Sequence, residues 1–310
     1  MKIVFWIALF IVFYTYIGYG ILLYIIIRLK RLFVGRPHEA VLPADDELPT
    51  MTLMICAYNE EDIVKEKMAN TLALDYPKDK FRIMWVTDGS NDHTNELLAA
   101  YPEVDIVFSP ERRGKTAALK HGLRELKTRY VAFTNANTMI NTGALREIAR
   151  LFSDPTVGCV SGEKRVAARK AGEMASEGEG LYWRYESTLK RWDSELYSAM
   201  GAAGELYAID PQLCREVPDE ALLDDFMLSM YVVQAGKRIA YTSDAYAREY
   251  GSANIYEESK RKRRIAAGGL QSIWWLRSML NPLRQPLVTF QYVSHRVLRW
   301  SITPVRWFCC

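Results

Sequence analysis

The first rhythm in the chain is no rhythm at all: residues 3 to 27, "IVFWIALFIVFYTYIGYGILLYIII", carry no charge. As a helix rising 1.5 Å per residue this run spans roughly 37 Å, enough to cross a bilayer with some tilt. It predicts a transmembrane anchor over residues 1–30, followed by a linker over 31–50 that contains Pro37, Pro43 and Pro49. From Met51 short apolar runs alternate with helical periodicity. "TLMICA" precedes a helix from Glu61 to Leu74, and "RIMWVT" one from Thr94 to Ala100. "VDIVFS" precedes a helix from Lys115 to Leu126, and "YVAFT" closes the series. Strand and helix in alternation predict an α/β domain, a mostly parallel sheet wound with helices on both faces. After Val157, "VGCVSG", "ELYAI" and "RIAYT", with a long aromatic helix near Gly180 to Tyr197, read as the other half of one domain over 51–252. From Ala253 the pattern is helical, basic and then aromatic, "SKRKRRIAAGGLQSIWWLRSML", with Trp300 and Trp307 further on. No uncharged run of 18 residues occurs there, so residues 253–310 read as helices lying in a membrane interface, with an amphipathic core helix as the alternative.

Composition changes this picture little. At 310 residues, 49% hydrophobic and 25% charged, the chain has enough apolar mass for one large α/β core. The net charge of +3 is too small to imply a nucleic-acid partner; the cations cluster at Lys260 to Arg264. Five cysteines without a C-x-x-C argue against both a disulfide framework and a zinc site, and the Cys309-Cys310 pair reads as two free thiols, with lipid modification beside the membrane as the alternative. The basic flank "RLKRLFVGR" after the apolar run, against Lys2 before it, places the bulk of the chain in the cytoplasm.

Chemistry collects where the strands end. Ala57-Tyr58-Asn59-Glu60 closes the first strand, Asp88-Gly89-Ser90 the second, Gly114-Lys115 follows the third, and Asn135-Ala136-Asn137 closes the fourth. In a doubly wound sheet such ends line one crevice, where ligands bind. Singly each has a plain reading: a turn at Asp88-Gly89, a helix start at Asn59-Glu60, a solvated lysine. Together they offer acceptors for a base and ribose, a cation for phosphate, and oxygen ligands for a metal or sugar. "SPERRGKT" imitates a phosphate-binding loop, but Ser109 stands in place of its first glycine and Pro110 removes an N–H, which sets that reading aside.

As a set, these segments resemble the family-two glycosyltransferases, especially the membrane-associated type that includes cellulose, hyaluronan and chitin-oligosaccharide synthases. The resemblance runs from about Met51 to Gly268. "ICAYNEE" looks like the first uridine-binding segment, "VTDGSNDHT" like the second aspartate motif, and "RRGKTAAL" like the lysine segment beside the nucleotide. "FTNANT" occupies the place of the D-x-D motif, and "GAAGELYAI" looks like the acceptor-side glycine segment. "LLDDFMLSMYVVQAGKRIAY" is similar to the helix that carries the catalytic base, and "RKRRIAAG" stands where relatives have Q-x-x-R-W-x-x-G.

The resemblance implies a GT-A type fold, a Rossmann-like mixed sheet, and inverting transfer of a sugar from a nucleotide-sugar, UDP-linked, to a hydroxyl of a glycan or lipid-linked acceptor. Asp225 would be the general base, with Asp224 beside it. Ala57, Tyr58, Asn59, Glu60, Asp88, Lys115, Arg261 and Arg264 would hold the nucleotide, and Gly201, Gly204 and Glu205 would face the acceptor. Mg²⁺ or Mn²⁺ would sit at Asn135 and Asn137. Membrane lipids complete the expected partners, and the expected location is the cell membrane, single-pass, with the catalytic domain cytoplasmic. Three departures stand out: both metal-motif positions are amides, Arg261 and Ile265 replace the Gln and Trp of the last motif, and the sequence stops near "WSITPVRWFCC", where processive relatives continue into more membrane helices. They motivate an alternative, a catalytically impaired nucleotide-sugar-binding subunit of a polysaccharide-synthesis complex.

Overall fold

The computed structural model describes residues 1–35, 40–167, 174–250 and 255–302. Pro37, Trp307 and the Cys309-Cys310 pair lie outside the described residues. The apolar N-terminal run forms one continuous helix, Lys2–Phe33, composed of α1 (Lys2–Phe13), a π-helical turn (Tyr14–Gly18) and α2 (Tyr19–Phe33). It is long and apolar enough to cross a membrane.

Among the described residues the sheet has eight strands. β1 (Met51–Ala57), β2 (Phe81–Asp88), β3 (Val104–Ser109) and β4 (Tyr130–Asn135) are parallel and lie in the order β3-β2-β1-β4. β5 (Met139–Ile140), β6 (Val157–Ala167), β7 (Leu206–Ile209) and β8 (Arg238–Tyr250) extend it as β4-β7-β6-β8-β5. β7 runs antiparallel to both β4 and β6, and β6 is parallel to β8. The mixed sheet expected from the sequence is therefore present. Its helices are α3 (Glu61–Leu72), α4 (Thr94–Ala99), α5 (Lys115–Arg124), α6 (Ala144–Phe152), α7 (Met174–Leu196), α8 (Asp224–Gln234), α9 (Ile255–Trp275), α10 (Pro286–Tyr292) and α11 (Leu298–Ile302).

The central strands are apolar on both faces because helices cover both. Side chains alternate across the sheet, so Leu53, Ile55, Ile83 and Trp85 join Val64, Met68 and Ile148 of α3 and α6 on one side. Met54, Met84, Val86 and Phe133 join Leu119, Phe226 and Met227 of α5 and α8 on the other. This second core continues into the C-terminal helices, through Leu276, Val288, Tyr292 and Trp300, with Trp300 edge-on to Phe226 at 4.8 Å. Trp275 packs inward, whereas Trp274, Leu283 and Leu287 stay exposed on the outside of the same segment. The segment from α9 to α10 thus combines a core face with exposed apolar side chains.

The membrane-type helix is docked, not tethered. Tyr19, Leu23 and Ile27 are fully buried against Leu189 of α7. The Tyr19 hydroxyl donates to Asp193 Oδ1 at 2.5 Å, and Arg31 forms a two-pronged pair with Glu195 at 2.6 and 2.7 Å. Asp193 is shared with the C-terminal helices: Gln291 Nε2 donates to it at 2.9 Å and His295 Nδ1 lies 2.5 Å away.

Candidate active site

Sheet register alone gathers the predicted crevice. Cys56 pairs with Asn135, Ala57 with Thr87, and Asp88 with Ser109, so the ends of all four parallel strands lie along one sheet edge. Ala57 is buried as the last residue of β1, and Tyr58 is half-buried with the Arg112 guanidinium 3.7 Å above its ring. Asn59 adopts a left-handed backbone (φ 53°) and bridges to the next strand end. Its N–H donates to Ser90 Oγ at 3.1 Å, and its amide exchanges bonds with Asn91. Glu60 donates its backbone N–H to Thr94 Oγ1, while burial and the nearby Asp92 raise its carboxyl above the usual range.

Asp88 has a structural assignment of its own. Its carboxylate accepts from the N–H groups of Arg113, at 2.9 Å, and Gly114, at 2.7 Å, fixing the loop that leads into α5. Lys115, the first residue of α5, is held in place by that bracket. Its Nζ donates to Asn135 Oδ1 at 3.2 Å and lies 3.8 Å from Asp224 Oδ2. Burial works against the Lys115 charge, but Asp224 and Asp225 outweigh it and raise its pKa.

The two carboxylates of α8 diverge, as neighbours in a first helical turn must. Asp224 is buried, and its Oδ2 has no hydrogen-bond partner among the described residues; it faces Lys115. Asp225 turns toward the glycine segment: a Cβ on Gly204 would come within 2.5 Å of Asp225 Oδ2, so only glycine lets the carboxylate sit there. Gly201, at φ +92°, meets the Phe226 ring in the same way. Burial, and then the charge of Asp224, push the Asp225 carboxyl up to about 6. A carboxylate with that pKa is poised to take a proton near neutral pH.

Glu205 lies deeper. Its Oε1 accepts from Lys164 at 2.5 Å, and the same ammonium bridges to Glu249 at 2.5 Å. Burial would raise Glu205, but Lys164 overcomes it and keeps the carboxyl low. Lys164 also stands 5.0 Å from the Trp183 ring centroid, and Arg261 of α9 5.8 Å from the same ring. Arg261 is half-buried beside this cluster, whereas Arg264 is exposed, and among the described residues no hydrogen bond or ion pair joins it to the strand ends. The crevice therefore brings together Tyr58, Asn59, Asp88, Lys115, Asn135, Asp224, Asp225 and Gly204, but not Arg264.

Four participants escaped sequence reasoning. Arg112 shares the quoted "RRGK" segment, yet its stacking on Tyr58 depends on a turn no periodicity reveals. Lys67 of α3 is fully buried behind the fourth strand end, bonded to Thr134 Oγ1 and Thr138 O, and burial pushes its pKa down to about 7. Lys164 and Glu249 are joined only by the β6–β8 pairing.

The expected metal has poor donors. Asn135 Oδ1 already accepts from Lys115, and Asn137 Oδ1 accepts from Thr138 Oγ1 at 3.3 Å. Among the described residues no group of three or more His, Cys, Asp or Glu side chains converges as a metal site. Mg²⁺ and Mn²⁺ are usually held by at least one carboxylate, so these residues do not fit either ion.

Residues 52–210 match the family model for glycosyl transferase family 2. The chain is 35% identical over 125 residues to a poly-beta-1,6-N-acetyl-D-glucosamine synthase of Staphylococcus aureus, covering 39% of this chain and 30% of that protein. It is 25% identical over 259 residues to a beta-monoglucosyldiacylglycerol synthase of Synechocystis, covering 78% of this chain and 53% of that one. The matches thus span 30% and 53% of these relatives' own lengths. Among solved structures, a mannosyltransferase from Pyrobaculum calidifontis in complex with GDP-Man and Mn²⁺ superposes with a TM-score of 0.75 at 22% identity, over 96% of this chain and 83% of that one. S. aureus TarS residues 1–349 in complex with UDP-GlcNAc gives 0.52 at 16% identity, over 72% and 66%. At these identities the likeness is one of fold.

Proposed function

The chain belongs to glycosyl transferase family 2, and from that premise we propose that it transfers a sugar from a nucleoside-diphosphate donor, UDP-linked, to a hydroxyl of a glycan or lipid-linked acceptor, with inversion. The observation that carries the reading is the Asp225 carboxylate, raised to about 6 and seated against Gly204 at the mouth of the crevice that Lys115 enters. A hydroxyl is a weak nucleophile at neutral pH, so a carboxylate must take its proton as the new bond forms. Asp225 is that base. Tyr58, with Arg112 stacked on it, and Asn59 supply a flat, polar surface for a base and ribose. Lys115 meets the diphosphate, and Gly201, Gly204 and Glu205 border the acceptor. The donor-side role expected of Arg261 and Arg264 of α9 draws no support from these contacts, since Arg261 lies beside the Glu205 cluster and Arg264 is exposed. The helix Lys2–Phe33 anchors the protein in the cell membrane with the crevice on the cytoplasmic side, ahead of a catalytic unit over 51–252 and membrane-facing helices beyond it.

Asp225→Asn is expected to lower turnover about 100-fold or more while leaving nucleotide affinity nearly unchanged. Undiminished transfer by this variant would remove Asp225 from the role. The amides Asn135 and Asn137 favour a second reading, a nucleotide-sugar-binding subunit without turnover. Release of free nucleoside diphosphate from a supplied donor and acceptor separates the two.

A further inference from the structure

We propose that Lys115 takes the place of the divalent cation in this site, so that donor binding and transfer need neither Mg²⁺ nor Mn²⁺. The proposal rests on the nucleotide-sugar reading above.

The oxygen that a metal would need is already committed. Lys115 Nζ lies 3.2 Å from Asn135 Oδ1. A dication bound to that oxygen at about 2.1 Å would lie at most about 5 Å from the ammonium, where the two repel. The nearest carboxylate, Asp224, faces the same ammonium at 3.8 Å. Asn137, the other amide, points its oxygen at Thr138. What the geometry builds is a site for one fixed monocation. Asp88 pins the backbone N–H groups of Arg113 and Gly114, and the lysine that follows opens a helix of ten residues whose N-terminal N–H groups add to the positive field.

The amide at position 135 then has a reason. An aspartate there would pair with Lys115 and cancel its charge; an asparagine orients the ammonium through its carbonyl oxygen and leaves the charge for the ligand. In the transfer step, the acceptor oxygen gives its proton to Asp225 and forms the bond to the anomeric carbon. The bond from that carbon to the diphosphate oxygen breaks, and its electron pair stays on that oxygen. Lys115 keeps its proton and pairs with the departing diphosphate.

The test is calorimetric titration of the full chain in detergent with UDP, in excess EDTA and again with Mn²⁺. The native protein is expected to bind UDP in EDTA within about 3-fold of its affinity with Mn²⁺. Lys115→Met is expected to weaken binding about 30-fold or more in both conditions, and Lys115→Arg to retain most of it. Asn135→Asp is expected to lose affinity in EDTA and regain it with Mn²⁺. UDP binding by the native protein only when Mn²⁺ is present would overturn this proposal and leave the nucleotide reading standing. Unchanged affinity in Lys115→Met would do the same. Absence of UDP binding in every condition would overturn the UDP-sugar reading and this proposal together.

Discussion

Asp225 is held under a tension that two experiments can read. With its carboxyl raised to about 6, transfer is expected to rise with pH through about 6 and level off above, as a base must be ionised to act. Stability runs the other way. Below about pH 4 the carboxyl is protonated in folded and unfolded chains alike; above about pH 6 it is ionised in both, and only the folded protein bears the unfavourable burial. Asp225→Asn is therefore expected to raise the thermal midpoint at pH 8 and to leave it unchanged at pH 4, while abolishing most turnover. An equal midpoint at both pH values would mean that the buried charge is not what raises the pKa. At this scale the strand-end residues were legible, because polar side chains that close an apolar run have few structural uses. Arg112 and Lys67 were not, since stacking over Tyr58 and burial behind Thr134 arise from folding distant segments together.

Elements were legible where one period dominated. The four parallel strands read directly from their apolar runs, and helices that begin at Glu61, Thr94 and Lys115 start where expected, ending within two residues of the pattern at Leu72, Ala99 and Arg124. The aromatic helix near Gly180 begins earlier, at Met174. α6 was overlooked although Leu145, Ile148, Ala149 and Phe152 are spaced for one helical face and are all buried. β5 has only two residues and exists through its pairing with Arg248 and Ala247, which no local pattern foretells. The long β6 and β8 strands have a specific dependence. Lys164, almost fully buried, neutralises both Glu205 and Glu249. Lys164→Met would leave two largely buried carboxylates without a cation, and we expect a loss of about 3 kcal/mol, seen as a lowered denaturation midpoint. Glu249→Gln in the same chain is expected to recover part of it.

For the molecule as a whole, the charge-free N-terminal run announced a membrane anchor, but not how it is attached. It reads as an anchor on a linker because the run is uncharged and long enough to span and is followed by a proline-containing stretch. Tyr19 is instead buried, and Asp193 ties it to Gln291 and His295 of the C-terminal helices. Arg296 in turn donates to Met200 O, one residue before the glycine segment of the crevice. Asp193→Ala would strand the buried Tyr19 hydroxyl and His295 Nδ1, while Gln291 keeps its bond to the backbone carbonyl of residue 193, at a cost of about 3 kcal/mol. The expected signature is a lower thermal midpoint with faster proteolytic cleavage between residues 34 and 50. An unchanged cleavage rate would show that the docking is held by apolar contact alone.

Two ties on one helix, Tyr19 to Asp193 and Arg31 to Glu195, lie twelve residues apart, or about 18 Å along the axis. A rod pinned at two points cannot swivel. If its apolar length lies in a bilayer as proposed, the crevice would be carried at one altitude and one pitch above the lipid, like a tool on a fixed post. Substrates would then be sorted by reach: those whose reactive hydroxyl stands at that altitude are served, and shorter or longer ones are passed over. Changing bilayer thickness tilts the post and with it the working plane. Initial rates in vesicles of graded acyl length are expected to peak at one thickness, whereas a freely tethered domain would give a flat profile.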